Sequence, residues 1–217
     1  MGLARGIERR LEQLVDGIAS RLFRGRIHPV ELGSRLIREA DLAVRDGPAG
    51  PVAPNRFTMV LGGEPADAEA LGVVQQELEA IVEETAVERG WRLEGPAQVL
   101  IRVAAGRKSA VRVEAEIAPG ERVPWARLLP SAGGAPIPVC PLRAIVGRGS
   151  DSDVYLDAEE ASRRHALLWR EVGRVWLYDL ESANGTLVNG DRIADTVEVV
   201  DGDILTFGGP SFVYRTV

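Results

Sequence analysis

Cys140 is the only cysteine among 217 residues, and His28 and His165 are the only histidines. One thiol forms no disulfide within the chain and no zinc site, and it fits a reducing cytosol. No apolar run reaches the 18 residues or so that a spanning helix needs. The opening "MGLARGIERR" is charged and periodic and has no apolar signal core, so no secretion signal is read. Gly2 follows Met1, but Gly6 stands where a myristoylation motif wants Ser or Thr. A basic excess is also missing. Net charge is −6, with 16 basic and 18 acidic residues up to Ile117 and 10 and 14 beyond it. A nucleic-acid binder would carry the opposite balance. Any anion must be caught by a local cluster of donors, not by a field of the whole molecule.

What is present is an ordinary globular composition, 45% hydrophobic and 27% charged, in a length that holds one large domain or two small ones. Leu3, Ile7, Leu11, Leu14, Ile18 and Leu22 recur at steps of three and four, which predicts an amphipathic helix over 3–22. Its flanking arginines would suit a membrane surface. Glu8, Glu12 and Asp16 dilute that charge and favour a helix packed on its own domain. A second helix is expected from Pro29, burying Leu32, Leu36, Ile37, Ala40 and Val44 and ending at "DGP". "RFTMVL" alternates as a strand, residues 66–89 form a third helix stopped by Gly90, and "QVLIRVA" and "AVRVEAEI" are two strands around the turn "AGRKS". The order α-α-β-α-β-β predicts an N-terminal α+β domain over 1–117, with helices on a small three-stranded sheet.

"APGERVP", residues 118–124, has two prolines and a glycine and reads as a short linker. From 125 to 217 the helical period vanishes. Short β-rich runs alternate with turns such as "SAGG", "SANG", "VNGD" and "GGP", the pattern of an all-β sandwich or barrel.

Chemistry-bearing residues concentrate in "GRGSDSDVYLDAEEASRRHA", 147–166. A calcium loop is excluded. An EF-hand spacing from Asp151 and Asp153 would put Tyr155 at a ligand position, Leu156 at the obligatory glycine and Ser162 at the terminal glutamate. Asp151 and Asp153 are better read as caps of a tight turn. A hydrolytic triad is disfavoured: Ser162 and His165 stand three apart at the start of a strand and point in different directions, and no "GxSxG" elbow occurs. A Walker loop fails because "GRGSDSD" lacks the Gly-Lys-Ser/Thr ending. An anion cradle is left. Arg148 and Arg163 supply planar donors, Ser162 and Ser150 supply hydroxyls, and Gly147 and Gly149 let backbone bend closely round a ligand. In "ESANGT" the Asn184 amide can both donate to and accept from a peptide backbone.

"GR" at 147–148, "SRRH" at 162–165 and "NG" at 184–185, followed by "TLVNGDRI" and "VDGDILTFG", resemble the forkhead-associated (FHA) domain from about residue 125 to the C-terminus. The resemblance implies an eleven-stranded β-sandwich whose loops read phosphothreonine in a partner peptide. Arg148, Ser162 and Arg163 are then the phosphate-facing groups, Asn184 holds the peptide backbone, His165 ties the serine loop in place, and Gly147 and Gly185 set backbone geometry. The residue before the asparagine, often polar in the family, is Ala183, and Ser182 is the nearest stand-in. The first 117 residues, through "GIERRLEQLVDGIASRLFRGRIHPVELGSRLIREAD" and "VAPNRFTMVL", are similar to the domain that precedes the FHA module in actinobacterial FhaA-like proteins. Such proteins are substrates and readers of Ser/Thr kinases that control cell-wall synthesis and division, with a phosphorylated membrane-bound pseudokinase domain as one kind of partner. Relatives often carry a long linker where this chain has only 118–124.

The expectation is a cytoplasmic phosphothreonine-dependent adaptor with no catalytic residues, metal, cofactor, nucleic-acid partner or direct membrane insertion, recruited to the membrane, if at all, by a partner. A phosphate-independent oligomerising scaffold, or a membrane-surface protein acting through 3–22, is the alternative. The linker holds no Ser or Thr, and the first domain holds only Thr58, mid-strand, and Thr85, near an apolar helix stripe. The phosphothreonine is therefore expected from another protein, in trans: a Ser/Thr kinase or its phosphorylated substrate.

Overall fold

A computed structural model of the chain describes residues 29–62, 68–104, 110–171 and 173–217. The helix expected over 3–22, His28 and the turn "AGRKS" lie outside the described residues. The chain divides into two compact units between Glu121 and Arg122.

The first unit opens with α1, Pro29–Ala43. Proline at the helix start has no N–H to leave unpaired, and Leu32, Leu36 and Ala40, four apart, are fully buried on one face. β1, Arg56–Gly62, buries Phe57, Met59 and Leu61 and turns the alternate residues outward, as the period-two pattern requires. α2, Ala68–Arg89, ends where Gly90 takes a φ of 70°. The Gly90 N–H donates to Val87 O and the Trp91 N–H to Ala86 O, a complete Schellman cap that satisfies the last helical carbonyls. β2, Gln98–Ala104, and β3, Val111–Glu116, follow.

The two strands read around "AGRKS" do not pair with each other. The sheet order is β2-β1-β3, with β2 parallel and β3 antiparallel to β1. The α2 helix makes the parallel crossover and also closes the β2 edge. Gln75 and Glu79 accept the Ile101 and Val99 N–H groups at 2.9 Å, where a further strand would otherwise add. The first residues of "APGERVP" are tied to this unit. The Ala118 N–H donates to Asn55 Oδ1 at 2.9 Å and the Gly120 N–H to Glu94 O at 3.2 Å.

The described residues of the second unit form eleven strands: β4 Ala126–Pro130, β5 Ile137–Val139, β6 Arg143–Gly147, β7 Val154–Tyr155, β8 Ala166–Glu171, β9 Arg174–Asp179, β10 Thr186–Val188, β11 Asp191–Arg192, β12 Val197–Val199, β13 Ile204–Phe207 and β14 Ser211–Thr216. They form a six-stranded sheet, β11-β10-β13-β14-β4-β5, and a five-stranded sheet, β12-β9-β8-β6-β7. Leu128, Val146, Leu168, Leu177, Leu205, Phe207 and Tyr214 meet in one core of this unit. The sandwich expected from the sequence, and the α+β unit before it, are the folds observed. Three connections carry the chemistry: β6–β7 (148–153), β7–β8 (156–165) and β9–β10 (180–185).

Candidate functional site

β6 runs straight into the first loop, and Gly147 is where it meets the second. A Cβ at 147 would overlap the Arg163 carbonyl oxygen, so only glycine lets the two backbones touch. Two hydrogen bonds then join them. The Arg148 N–H donates to Ser162 O and the Gly149 N–H to Arg163 O, each at 3.0 Å. Ser152 Oγ adds a third, to Arg163 O, at 3.0 Å. With the backbone held this way, the Arg148 and Arg163 side chains are both exposed, on loops that are bonded to each other. Ser150 is exposed on the first of these loops.

His165 is wholly buried and joins the second loop to the third. Its Nδ1 accepts the Ser162 N–H at 3.0 Å, so the ring proton sits on Nε2, which donates to Gly185 O at 3.1 Å. The ring packs edge-on against Phe207 at 5.8 Å. Burial pushes its pKa down, outweighing the Gly185 bond and the Asp179 charge, so the neutral ring is the form the site is built on.

Asp179 organises the third loop. Burial works against its charge. The Ser182 hydroxyl, the Thr186 hydroxyl and the Ser182 N–H outweigh that and hold the carboxyl below its usual range. The two hydroxyls donate at 2.6 Å and the N–H at 2.9 Å. Ser182 Oγ also accepts the Gly185 N–H at 2.9 Å. Its proton is spent on Asp179 and its oxygen on the loop, so Ser182 is a brace of the turn and offers no donor to a ligand. The sequence reading took Ser182 as a possible stand-in contact; here its hydroxyl is bonded within the turn made by Asp179.

Ser162 is placed differently. Its Oγ accepts the Ala183 N–H at 3.0 Å, which leaves the hydroxyl proton for an acceptor outside the loop. Asn184 is exposed, and one N–H of its amide is anchored on Glu160 O at 2.8 Å. The other N–H and the amide oxygen have no hydrogen bond among the described residues. The Gly208 N–H also donates to Gly185 O, so the β13–β14 corner supports the same loop.

Arg148, Ser162, Arg163 and Asn184 therefore stand on three loops joined by backbone bonds and by His165. Ser152, Asp179 and Thr186 were not singled out in the sequence. Asp179 carries only the general signal of an aspartate at the start of a turn-rich stretch, in "YDLESANGT". Among the described residues no group of His, Cys, Asp or Glu is placed to hold a metal ion.

These features define an FHA-domain protein. The FHA domain model matches residues 144–208, and the model of the FhaA N-terminal domain matches residues 5–110. Glycogen accumulation regulator GarA of Mycobacterium tuberculosis is 33% identical over 141 residues, covering 64% of this chain and 82% of that protein. ABC transporter ATP-binding/permease protein Rv1747 of the same organism is 39% identical over 69 residues, 32% of this chain but 8% of the transporter. Solved structures that match part of the chain include the FhaA FHA domain complexed with the intracellular domain of Rv3910 (28% identity, 42% of this chain and 99% of that one, TM-score 0.39). Another is M. tuberculosis EmbR with a low-affinity phosphopeptide (31% identity, 42% and 24%, TM-score 0.40). The chain belongs to the FhaA-like family of FHA-domain proteins.

Proposed function

We propose that the chain is a phosphothreonine-dependent protein-binding adaptor in Ser/Thr kinase signalling, and not an enzyme. The observation that carries this reading is the Ser162 hydroxyl. It is fixed by the Ala183 N–H and keeps its proton, on a loop bonded to the one that bears Arg148. The phosphate of the partner is held by Arg148, Ser162 and Arg163, with Ser150 beside them. Asn184 holds the peptide backbone, and Gly147, His165 and Gly185 keep the loops in register. Each hydrogen bond to the dianionic phosphate contributes roughly 1.5–3 kcal/mol before solvent screening. Three such contacts on an exposed site favour a phosphorylated over a plain peptide by about a hundredfold or more. Added salt weakens the difference.

The ligand comes from another protein. Thr85 is 0% exposed within α2, and Thr58 sits on the central strand of its sheet, paired on both sides. Neither is an extended, accessible substrate for a kinase. The partner is a Ser/Thr kinase or its phosphorylated substrate, including a membrane-bound pseudokinase domain of the kind that the family resemblance implies. Among the described residues no helix is long and apolar enough to cross a membrane. The adaptor then works in the cytoplasm and reaches the membrane through such a partner, in control of cell-wall synthesis or division. An array of peptides in phosphorylated and plain forms, probed with the full chain, tests this. Retention confined to phosphothreonine peptides is expected, and equal retention of plain peptides would overturn it.

A further inference from the structure

Arg192 lies in β11, next to the loop that carries Asn184, and no role has been assigned to it. Its strand pairs with β10, so Arg192 stands across from Leu187 and its side chain reaches back toward the loop. At Gly185 a Cβ would lie 2.5 Å from Arg192 Cζ and Nη2 and 2.6 Å from Nε. Three guanidinium atoms at nearly one distance place the face of the group where a side chain at 185 would project. Glycine is thus required there twice, by a φ of 84° and by this packing.

A guanidinium packed on its face keeps its edge, and the edge carries the N–H donors. Elsewhere in the second unit Arg174 pairs with Glu198 at 2.8 Å and Arg215 with Asp201 at 2.9 Å. The side chain of Arg192, which is exposed, has no hydrogen bond or ion pair among the described residues. A free, oriented guanidinium one residue from Asn184 lies beside the path of any peptide that Asn184 holds.

We infer that Arg192 is a specificity residue that selects an acidic side chain, aspartate or glutamate, on the bound peptide beside its phosphothreonine. This rests on the phosphothreonine reading of the site, which it extends from the phosphate to the flanking sequence. The group is planar and bidentate, which suits a carboxylate better than a hydroxyl or an amide. It is solvent-exposed, so its contribution is modest and salt-sensitive.

The test uses the full chain and a phosphothreonine peptide in an alanine–glutamine host, with a single glutamate moved through each position on either side. Affinities are measured by calorimetry for the wild type, Arg192→Gln and Arg192→Glu, with melting temperatures as a control on folding. One position is expected at which glutamate tightens wild-type binding about threefold to fivefold over alanine. That gain should vanish in Arg192→Gln, and lysine at the same position should be preferred by Arg192→Glu. All variants should still discriminate phosphorylated from plain host peptide. A flat scan, or one unchanged in both variants while phosphate dependence persists, would overturn the role of Arg192 and leave the phosphothreonine reading standing. Equal binding of phosphorylated and plain host by the wild type would overturn both.

Discussion

Replacing His165 by alanine separates a brace from a ligand contact, because the imidazole makes only internal bonds. The substitution leaves the Ser162 N–H without its acceptor. Gly185 O loses one of two donors but keeps the Gly208 N–H. An unpaired, partly buried N–H costs about 1–3 kcal/mol. The volume vacated beside Phe207 adds about 1 kcal/mol. The second unit should therefore lose about 2–4 kcal/mol. Hydrogen–deuterium exchange on the full chain reads this unit separately from the first. Amides of β8 and β9 that open with the whole unit should exchange faster by about thirtyfold to several hundredfold, while β1 and β2 stay at their wild-type rates. Phosphopeptide affinity should fall as well, as a consequence of the loosened Ser162 loop. Unchanged protection of β8 and β9 with binding abolished would refute this role and place the imidazole against the ligand.

The same ring gives the second unit a pH dependence with a definite sign. The folded pKa of His165 is depressed below the ordinary imidazole value of 6.5, so the unfolded chain takes up the proton first as pH falls. Stability from this group is full above about pH 6.5, is lost as pH drops through the folded pKa, and should not vary in this way in His165→Ala; urea titrations of both chains across that range check it. Arg148→Ala should weaken phosphopeptide binding about tenfold to a hundredfold with no change in melting temperature, since the side chain is an exposed donor and not part of the core, and calorimetry with thermal denaturation reads both. Gly90→Ala forces a left-handed residue into the α2 cap and should destabilise the first unit alone by about 1 kcal/mol, visible as faster exchange of β1 and β2.

What the sequence showed follows from which interactions are local. The alternation of Phe57, Met59 and Leu61, the i, i+4 spacing of Leu32, Leu36 and Ala40, and the Gly90 stop depend on near neighbours, and each is found where the pattern puts it. Pairing is non-local. Nothing near "QVLIRVA" says that it lies parallel to β1, or that the chain then crosses to the other side of β1 for β3. The same divide runs through the site. Arg148, Ser162, Arg163 and Asn184 are legible because they sit in short motifs at fixed places on their loops. How Ser162 and Ser182 are bonded is not, because both are half-buried serines on loops. Only the third loop decides the difference: it gives Ser182 the Asp179 carboxylate and gives Ser162 the Ala183 N–H, so one proton is spent inside and the other is left outside. Arg192 is invisible for the same reason. Its value comes from a glycine seven positions earlier, whose missing side chain it replaces.

A phosphothreonine is proposed to dock on three loops of the second unit. Amide chemical-shift mapping of the full chain, titrated with one peptide in phosphothreonine and plain threonine forms, tests it most directly. Shifts are expected at Arg148–Ser152, Glu160–Arg164, Ser182–Gly185 and Asp191–Arg192 with the phosphopeptide, and none with the plain form at the same concentration. Shifts of equal size with both peptides, or shifts centred on the first unit, would contradict it.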